Sequence, residues 1–454
     1  MSVGSFEEAL RPTTVMAELA SAVPDFVDGR RTLLGCRISR IRSMPAQDMW
    51  TAIYELDVRD VDSGFEQTFV AKGMLTPLGL ELPQTGEEIP FGTEGWNRVV
   101  PELRLHLVAV PKDDALPGLD AITDSEQGRS LLQTALLASG SISREAEIAR
   151  CVPTVVTHKP GVRATVLCRL EYVRDRPDER SAVLVKVHHD DQGERAFTAV
   201  RVLSESSPGA NGTVGLAQAL AYLPELKLSI QEYVEHRWSL KDLLHGAFDG
   251  VEGWDDLLKA TRATAAGLAD LHQRSCSVGE PVTWDQELAT VRKKYDRLAT
   301  VMPTLRERTG SVPDRLEAAA ATTAADPLGP AHHSFRPSQV LLTHHGVVFI
   351  DLDKFCQAEP ASDIALFTAK LQHTCLNKVK TAVAEHSRQG RLAALKAIFL
   401  DEYRRHAPVS ADRIALWEGL ELTSLVLSAA KKVNGPWVES CQNLLEDHLE
   451  DCGW

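Results

Sequence analysis

The 454-residue sequence has no CxxC pair among its eight cysteines, no long uninterrupted apolar run and no surplus of positive charge. Unpaired cysteines scattered from Cys36 to Cys452 do not make a zinc cluster; they read as free thiols in a reducing cytosol. A bilayer span needs ~18 or more apolar residues in a row, so no membrane crossing and a cytoplasmic location are expected. Lys and Arg number 49 against 63 Asp and Glu, a net charge of −14. Affinity for a phosphate backbone comes mostly from cationic contacts, and the tryptophans form no stacking ladder, so no nucleic-acid partner is expected. The N-terminal stretch places Glu7, Glu8 and Arg11 ahead of any apolar run. It reads as an amphipathic helix rather than a signal peptide.

What is present begins with two similar stretches. Tyr54–Asp60, a turn around Asp62-Ser-Gly64 and Phe69–Lys72 form one. Cys168–Asp175, a turn around Pro177-Asp178 and Val183–Lys186 form the other. Each reads as a strand, a polar turn and a second strand ending in lysine. They suggest a decayed duplication of one hairpin. Between them, Val110–Gly118 reads as a loop. Residues 127–140 and 144–150 read as helices, the second capped by Ser143. Further on, Glu194–Ser206 has helical spacing through Phe197, Val200 and Leu203, ended by Ser207–Gly212. Leu228–Val234 reads as a strand. After about residue 239 the chain turns helical, around one short hairpin at 340–343 and 347–352 with His344-His-Gly346 at its turn. In the last helical stretch, breaks are expected near Pro408 and Asn434-Gly-Pro436. Strands first and helices later indicate an α+β protein with lobes of different character.

The segment Ala331-His-His-Ser-Phe-Arg-Pro-Ser-Gln-Val-Leu-Leu342, followed by Val347-Val-Phe-Ile-Asp-Leu-Asp353, carries the chemistry. It resembles the aminoglycoside phosphotransferase and choline kinase-like family, whose pattern is H-G-D-x-x-P-x-N-V-L and then I-D-[FW]-[DE]. His332, Pro337, Val340, Leu341, Ile350, Asp351 and Asp353 fall on it. Glu359-Pro-Ala-Ser-Asp363-Ile-Ala is similar to the family's D-P-x-x-D-[LI]-A, whose last Asp braces the catalytic loop. Ala265–His272 is similar to the helix before that loop. Gln231-Glu-Tyr-Val-Glu-His-Arg-Trp-Ser-Leu240 is similar to the hinge, which makes Glu232, Tyr233 and Val234 the expected nucleotide-hinge residues.

The resemblance implies a two-lobed protein-kinase-like fold that uses ATP and Mg²⁺. Its requirements can be stated in plain chemistry: phosphoryl transfer needs phosphate charge neutralised, a divalent metal and a hydroxyl held in line. A lysine ending an apolar strand can reach the phosphates, which suits Lys186. An aspartate after an apolar strand can hold Mg²⁺, which suits Asp351, with Gln339 and Asp353 as further metal candidates. Lys72 is the rival lysine; the hinge and catalytic loop follow Lys186 at family-like distances. By spacing, the helix partner of the lysine is Glu205, with Glu194 as the alternative.

The sequence departs from the pattern in three places. Ser334 occupies the catalytic aspartate position, and a hydroxyl's pKa lies too high for a general base. His332, His333 and Asp353 stand close by as substitute bases. Gln339 replaces the metal-binding asparagine, keeping its carbonyl oxygen one carbon further out. The phosphate-loop position holds His158-Lys-Pro-Gly-Val-Arg163, with one glycine; Lys159 or Arg163 could touch phosphate there, but the preferred reading is of solvated turn charges. Arg336 follows Ser334 by two residues, where it would either stabilise transferring charge or lie on the loop surface.

The expected organisation is an N-terminal extension over 1–145 with the degenerate hairpin, a small lobe and hinge over 146–236, and a helical large lobe over 237–454. The expected function is an ATP- and Mg²⁺-dependent phosphotransferase acting on a hydroxyl. The acceptor would be a small molecule (aminoglycoside, sugar or alcohol) or peptide Ser/Thr of a natural-product pathway. The alternative is a pseudokinase that binds nucleotide or a partner protein without turnover.

Overall fold

In the computed structural model, residues 4–44, 49–61, 63–75, 91, 96–109, 116–159, 161–174, 176–205, 214–248, 253–276, 278–377, 385–432 and 435–454 are described. The expected turn at Asp62, the loop over 110–115, the helix stop at 207–212 and the break at Asn434 lie wholly or partly outside them. Among the described residues, no helix is long and apolar enough to cross a membrane. The chain forms two compact units.

The first unit comprises Met1–Lys112, Glu287–Ala319 and Leu422–Trp454. Its sheet contains β1 (Arg31–Met44), β2 (Met49–Asp60), β3 (Glu66–Leu75), β4 (Asn97–Val100) and β5 (Leu105–Ala109). The strand order is β1-β2-β3-β5-β4, antiparallel throughout. Alternation drives β2: Ala52, Tyr54, Leu56 and Val58 are buried, with the residues between them more exposed, as a half-buried strand requires. The Tyr54 hydroxyl donates to the Ala9 carbonyl at 2.8 Å. That bond ties the short N-terminal helix Gly4–Ala9 to the sheet.

The second unit comprises Asp113–Gln286 and Ala320–Glu421. Its main sheet contains β6 (Ile148–Lys159), β7 (Arg163–Tyr172) and β8 (Ala182–His188). It is completed by β10 (Ala219–Leu223) and β11 (Leu228–Glu232), which follow the short β9 (Val214–Leu216). The order is β10-β11-β8-β7-β6. The segment 144–150, expected to be helical, instead leads into β6: Ala146, Ile148 and Cys151 are buried against Val166, Val185 and Ile230. Tertiary burial overrides the helix propensity of Glu-Ala-Glu there. Helices Pro117–Thr123 and Ser125–Ala138 send Ile122, Leu132 and Leu136 into the same core. They therefore belong to this unit, and the division falls after Lys112 rather than at 145.

The two five-stranded sheets repeat one another. Reversing the second order gives β6-β7-β8-β11-β10, which matches β1-β2-β3-β5-β4 strand for strand. The turn before the last strand repeats as well. Pro101-Glu-Leu103 and Pro224-Glu-Leu226 each form one 3-10 turn, closed by Arg104 and Lys227, both at φ 49° and ψ 41°. The likeness thus extends beyond the expected hairpin to the whole sheet. Register then fixes the equivalences. Leu105 pairs with Val100 and Leu75, as Leu228 pairs with Leu223 and Val187. One step on, Met74 stands where Lys186 stands, and Thr51 lies opposite Met74 as Thr165 lies opposite Lys186. Lys72 falls two residues away, on an exposed position.

The remaining strands build the floor of the second unit. β12 (Trp238–Ser239), β14 (Val340–Thr343), β15 (Gly346–Phe349) and β9 form a four-stranded sheet, and β13 (Gly329–Ala331) pairs with β16 (Cys356–Ala358). The β14–β15 turn is the expected His344-His345 hairpin, with Gly346 at φ +125°. Helix Trp254–His272 packs directly beneath. A Cβ on Gly267 would lie 3.1 Å from Val214 and 3.2 Å from Phe349, so glycine is what lets the helix approach this closely.

Candidate functional site

Two elements bring the charged residues together. β8 carries Lys186, buried to 7% exposure. The hairpin β14–β15 carries Gln339 just before it and Asp351 just after it. Lys186 Nζ donates to Asp351 Oδ1 at 2.7 Å and to Asp353 Oδ1 at 2.6 Å. Burial works against the ammonium charge, but Asp353 and Asp351 outweigh it and hold the Lys186 pKa above its ordinary value. Burial likewise disfavours the Asp351 carboxylate; Lys186, Arg163 and the Gln339 amide override that and hold its pKa well below the usual range.

Asp351 adopts φ +68° and His333 φ +55°. Left-handed conformations cost non-glycine residues of order 1–3 kcal/mol and persist where the surroundings enforce them. At Asp351 the enforcing contacts are Lys186 on Oδ1 and the Gln339 amide on Oδ2 at 3.0 Å.

The β6–β7 turn, expected to carry solvated charges, reaches into the site. Arg163 Nη1 donates to Asp353 Oδ2 at 2.7 Å and lies 3.8 Å from Asp351 Oδ1. Arg336 Nη2 lies 3.7 Å from Asp351 Oδ2. Two carboxylates are thus met by three cations from three different elements. The solvated reading preferred for Arg163 fails because its partner stands 190 residues away in sequence. The only signal was its place beside the single glycine of that turn.

The loop holding Ser334 is braced from below. The His332 backbone N–H donates to Asp363 Oδ2 at 2.6 Å, and the same oxygen lies 3.1 Å from His272 Nε2. His272 Nδ1 in turn sits 2.7 Å from the Tyr403 hydroxyl. Burial raises the Asp363 pKa, but His272 lowers it further, and the net direction is down. The imidazole of His332, fully buried, has Nε2 3.0 Å from the Ile350 carbonyl and Nδ1 3.1 Å from Ser334 Oγ.

The expected hinge residues Glu232, Tyr233 and Val234 lie at the end of β11 and just beyond it. Val234 is buried with Ala217 and Leu341, and Val348 and Ile350 pack against that cluster half-buried. Glu232 Oε2 accepts from the Gln218 backbone N–H at 3.0 Å, and Tyr233 is half-buried beside it. Lys186, Asp351, Asp353, Gln339 and Arg336 therefore converge, with His332 and Ser334 on the adjoining loop. Glu205 does not join them: it is exposed at the end of helix Gln192–Glu205, and Glu194 is exposed as well. Lys186 takes Asp351 and Asp353 as its carboxylate partners instead. From that helix Gln192 reaches the site, donating from Nε2 to the Asp353 carbonyl at 3.2 Å.

The metal that a kinase-like fold implies finds partial provision. Gln339 Oε1 is buried with no hydrogen-bond partner, an oxygen of the kind Mg²⁺ takes, beside the Asp351 carboxylate. Both carboxylates already accept hydrogen bonds on each oxygen, but Asp353 is the less suited, since its side chain is 3% exposed against 20% for Asp351.

No protein-family model matches the sequence, and no curated protein matches it. Among solved structures, glucosamine kinase (crystal form A) matches with a TM-score of 0.50 at 15% identity, over 96% of this chain and 97% of that one. Choline kinase from Cryptosporidium parvum Iowa II gives 0.48 at 11% identity, over 72% and 97%. A thermostable mutant of an aminoglycoside phosphotransferase, in its apo form, gives 0.48 at 11% identity, over 66% and 95%. All three are small-molecule kinases of the protein-kinase-like superfamily. The match to glucosamine kinase shows that this chain has the α+β protein-kinase-like fold, as the sequence resemblance implied.

Proposed function

We propose that the chain binds ATP with Mg²⁺ and transfers the terminal phosphoryl group to an alcohol hydroxyl. The acceptor is a small molecule (aminoglycoside, sugar or alcohol) or a peptide Ser/Thr. The observation that carries this reading is the convergence of Lys186 with Asp351, 165 residues apart in sequence and 2.7 Å apart in space, within a kinase-like fold. Lys186 would steady the phosphates from the rigid centre of its sheet. Asp351 and the free oxygen of Gln339 would hold the metal, which would neutralise phosphate charge during transfer. Arg336 would face the charge that develops on the transferring group. The cluster of Val234, Ala217 and Leu341 would take the apolar faces of the base, with the 232–234 backbone along its edge. All eight cysteines are free thiols, which fits a reducing, cytoplasmic setting.

The test is calorimetry with ATP and Mg²⁺, followed by transfer of labelled phosphate to a panel of aminoglycosides, amino sugars, alcohols and peptides. Binding of nucleotide with transfer to at least one hydroxyl is expected. An absence of nucleotide binding would remove the reading. A second reading, nucleotide binding without turnover, is favoured by one observation: Ser334 stands where the catalytic loop would carry its base. Nucleotide binding without transfer to any acceptor would select it.

A further inference from the structure

The Ser334–His332 pair is not what an aspartate position usually provides. A carbonyl oxygen can only accept, so the 3.0 Å contact with Ile350 places the proton of the neutral imidazole on His332 Nε2. Nδ1 is then the acceptor, and the Ser334 hydroxyl donates to it at 3.1 Å. A nucleophile within ~2.6–3.2 Å of its base, and a base oriented by a third group, is the arrangement of an activated serine. The orienting contacts are doubled here, because the backbone N–H of His332 is also fixed by buried Asp363. Ser334 itself is half-buried. The Asp351 backbone carbonyl, 3.5 Å away, is a second and longer acceptor for that hydroxyl, which brings Ser334 against the backbone of the residue proposed to hold the metal. Arg336, two residues on, leaves its Nε buried without a partner, a donor available to an added anion.

We propose that Ser334 is itself a phosphoryl acceptor, the nucleophile of a Ser334–His332 pair that takes the terminal phosphoryl group of the bound nucleoside triphosphate and becomes phosphoserine. This rests on the nucleotide reading above. In the step, the Ser334 proton passes to His332 Nδ1 and a bond forms between Oγ and the terminal phosphorus. The bond from that phosphorus to the bridging oxygen breaks, and the nucleoside diphosphate leaves with the electron pair. The imidazolium then returns its proton to solvent. The product carries about −1.5 to −2 charge at neutral pH, and Arg336, with its unpartnered Nε, is the cation that would meet it.

The experiment uses the full chain, stripped of any phosphate by a phosphatase and then incubated with ATP and Mg²⁺. Nucleotide affinity is measured on the same preparation by calorimetry. Peptide mapping by mass spectrometry should find one phosphoryl group on Ser334. Ser334→Ala should lose it. His332→Gln, if its nucleotide affinity shows it folded, should slow its appearance roughly 10²-fold or more, the usual contribution of a general base. Lys186→Ala is the control for a contaminating kinase and should remain unmodified. If nucleotide binds and Ser334 stays unmodified, the inference falls while the nucleotide reading stands. If Ser334 is modified equally in Lys186→Ala, the phosphate comes from another enzyme and the inference falls. If no nucleotide binds, both fall together. The mapping of the native chain decides the matter whether or not His332→Gln folds.

Discussion

Lys186 and Asp351 meet at 2.7 Å although β8 and the β14–β15 hairpin are far apart in sequence. The buried cluster is sensitive to the loss of either partner, because removing Asp351 leaves three cations facing the one carboxylate of Asp353. Asp351→Asn keeps the shape and removes the charge. It should abolish Mg²⁺-dependent nucleotide binding in a chain that still folds. Unchanged Mg²⁺ dependence, measured by calorimetry with and without chelator, would take Asp351 out of the metal site.

The two lysines separate cleanly. Lys186→Ala should lower ATP affinity at least tenfold, about 1.4 kcal/mol. Lys72→Ala should leave it unchanged, since Lys72 is exposed and the register puts Met74 at the corresponding position. The reverse result in titration calorimetry would move the nucleotide to the N-terminal sheet.

Arg336 is expected to act on turnover rather than on binding. Removing one such charge stabiliser costs about 2.7–4 kcal/mol, or ~10²–10³-fold in kcat. Arg336→Ala should therefore depress kcat while leaving the nucleotide Kd within a few-fold. An equal loss in both would make it a ground-state phosphate ligand.

Asp363 supplies a stability test with a definite sign. Its pKa is depressed in the folded chain, so its contribution is present above the unfolded value, ~3.9, and is lost as pH falls through the folded one. Asp363→Ala should cost about 3–5 kcal/mol at neutral pH, the usual effect of breaking a buried pair. The gap from the native chain in denaturant titrations should narrow below pH ~4. A gap that widens on acidification would contradict the brace described here.

Much of this was legible in the chain. The strand carrying Lys186 (which runs on past the lysine to His188), the His344-His345 hairpin and the helix before the loop were read from strand-forming residues, turn residues and helix propensity, all local signals. What was not legible depends on distance or on register. The two hairpins, each read as ending in lysine, made Lys72 look like the counterpart of Lys186, but strand pairing decides equivalence, and it shifted the match by two residues to Met74. The repeated Pro-Glu-Leu would have revealed the full five-strand repeat, because Pro101 and Pro224 begin the same turn. Arg163 looked solvated because nothing near it in sequence is acidic. Glu205 had the right separation from Lys186, but its helix ends there and leaves it in solvent.

Two sheets of one strand order in a single polypeptide pose a problem of self-recognition during folding. Until its own neighbours arrive, a central strand such as β3 or β8 offers its edges to any suitable strand, including one from the other copy. The copies have diverged in ways that discourage such hybrids. β1 has 14 residues against 12 in β6, and β3 has 10 against 7 in β8. A mixed sheet would bury Lys186 with neither Asp351 nor Asp353 in reach. The lysine proposed to steady the phosphates would thus also help its copy reject the twin.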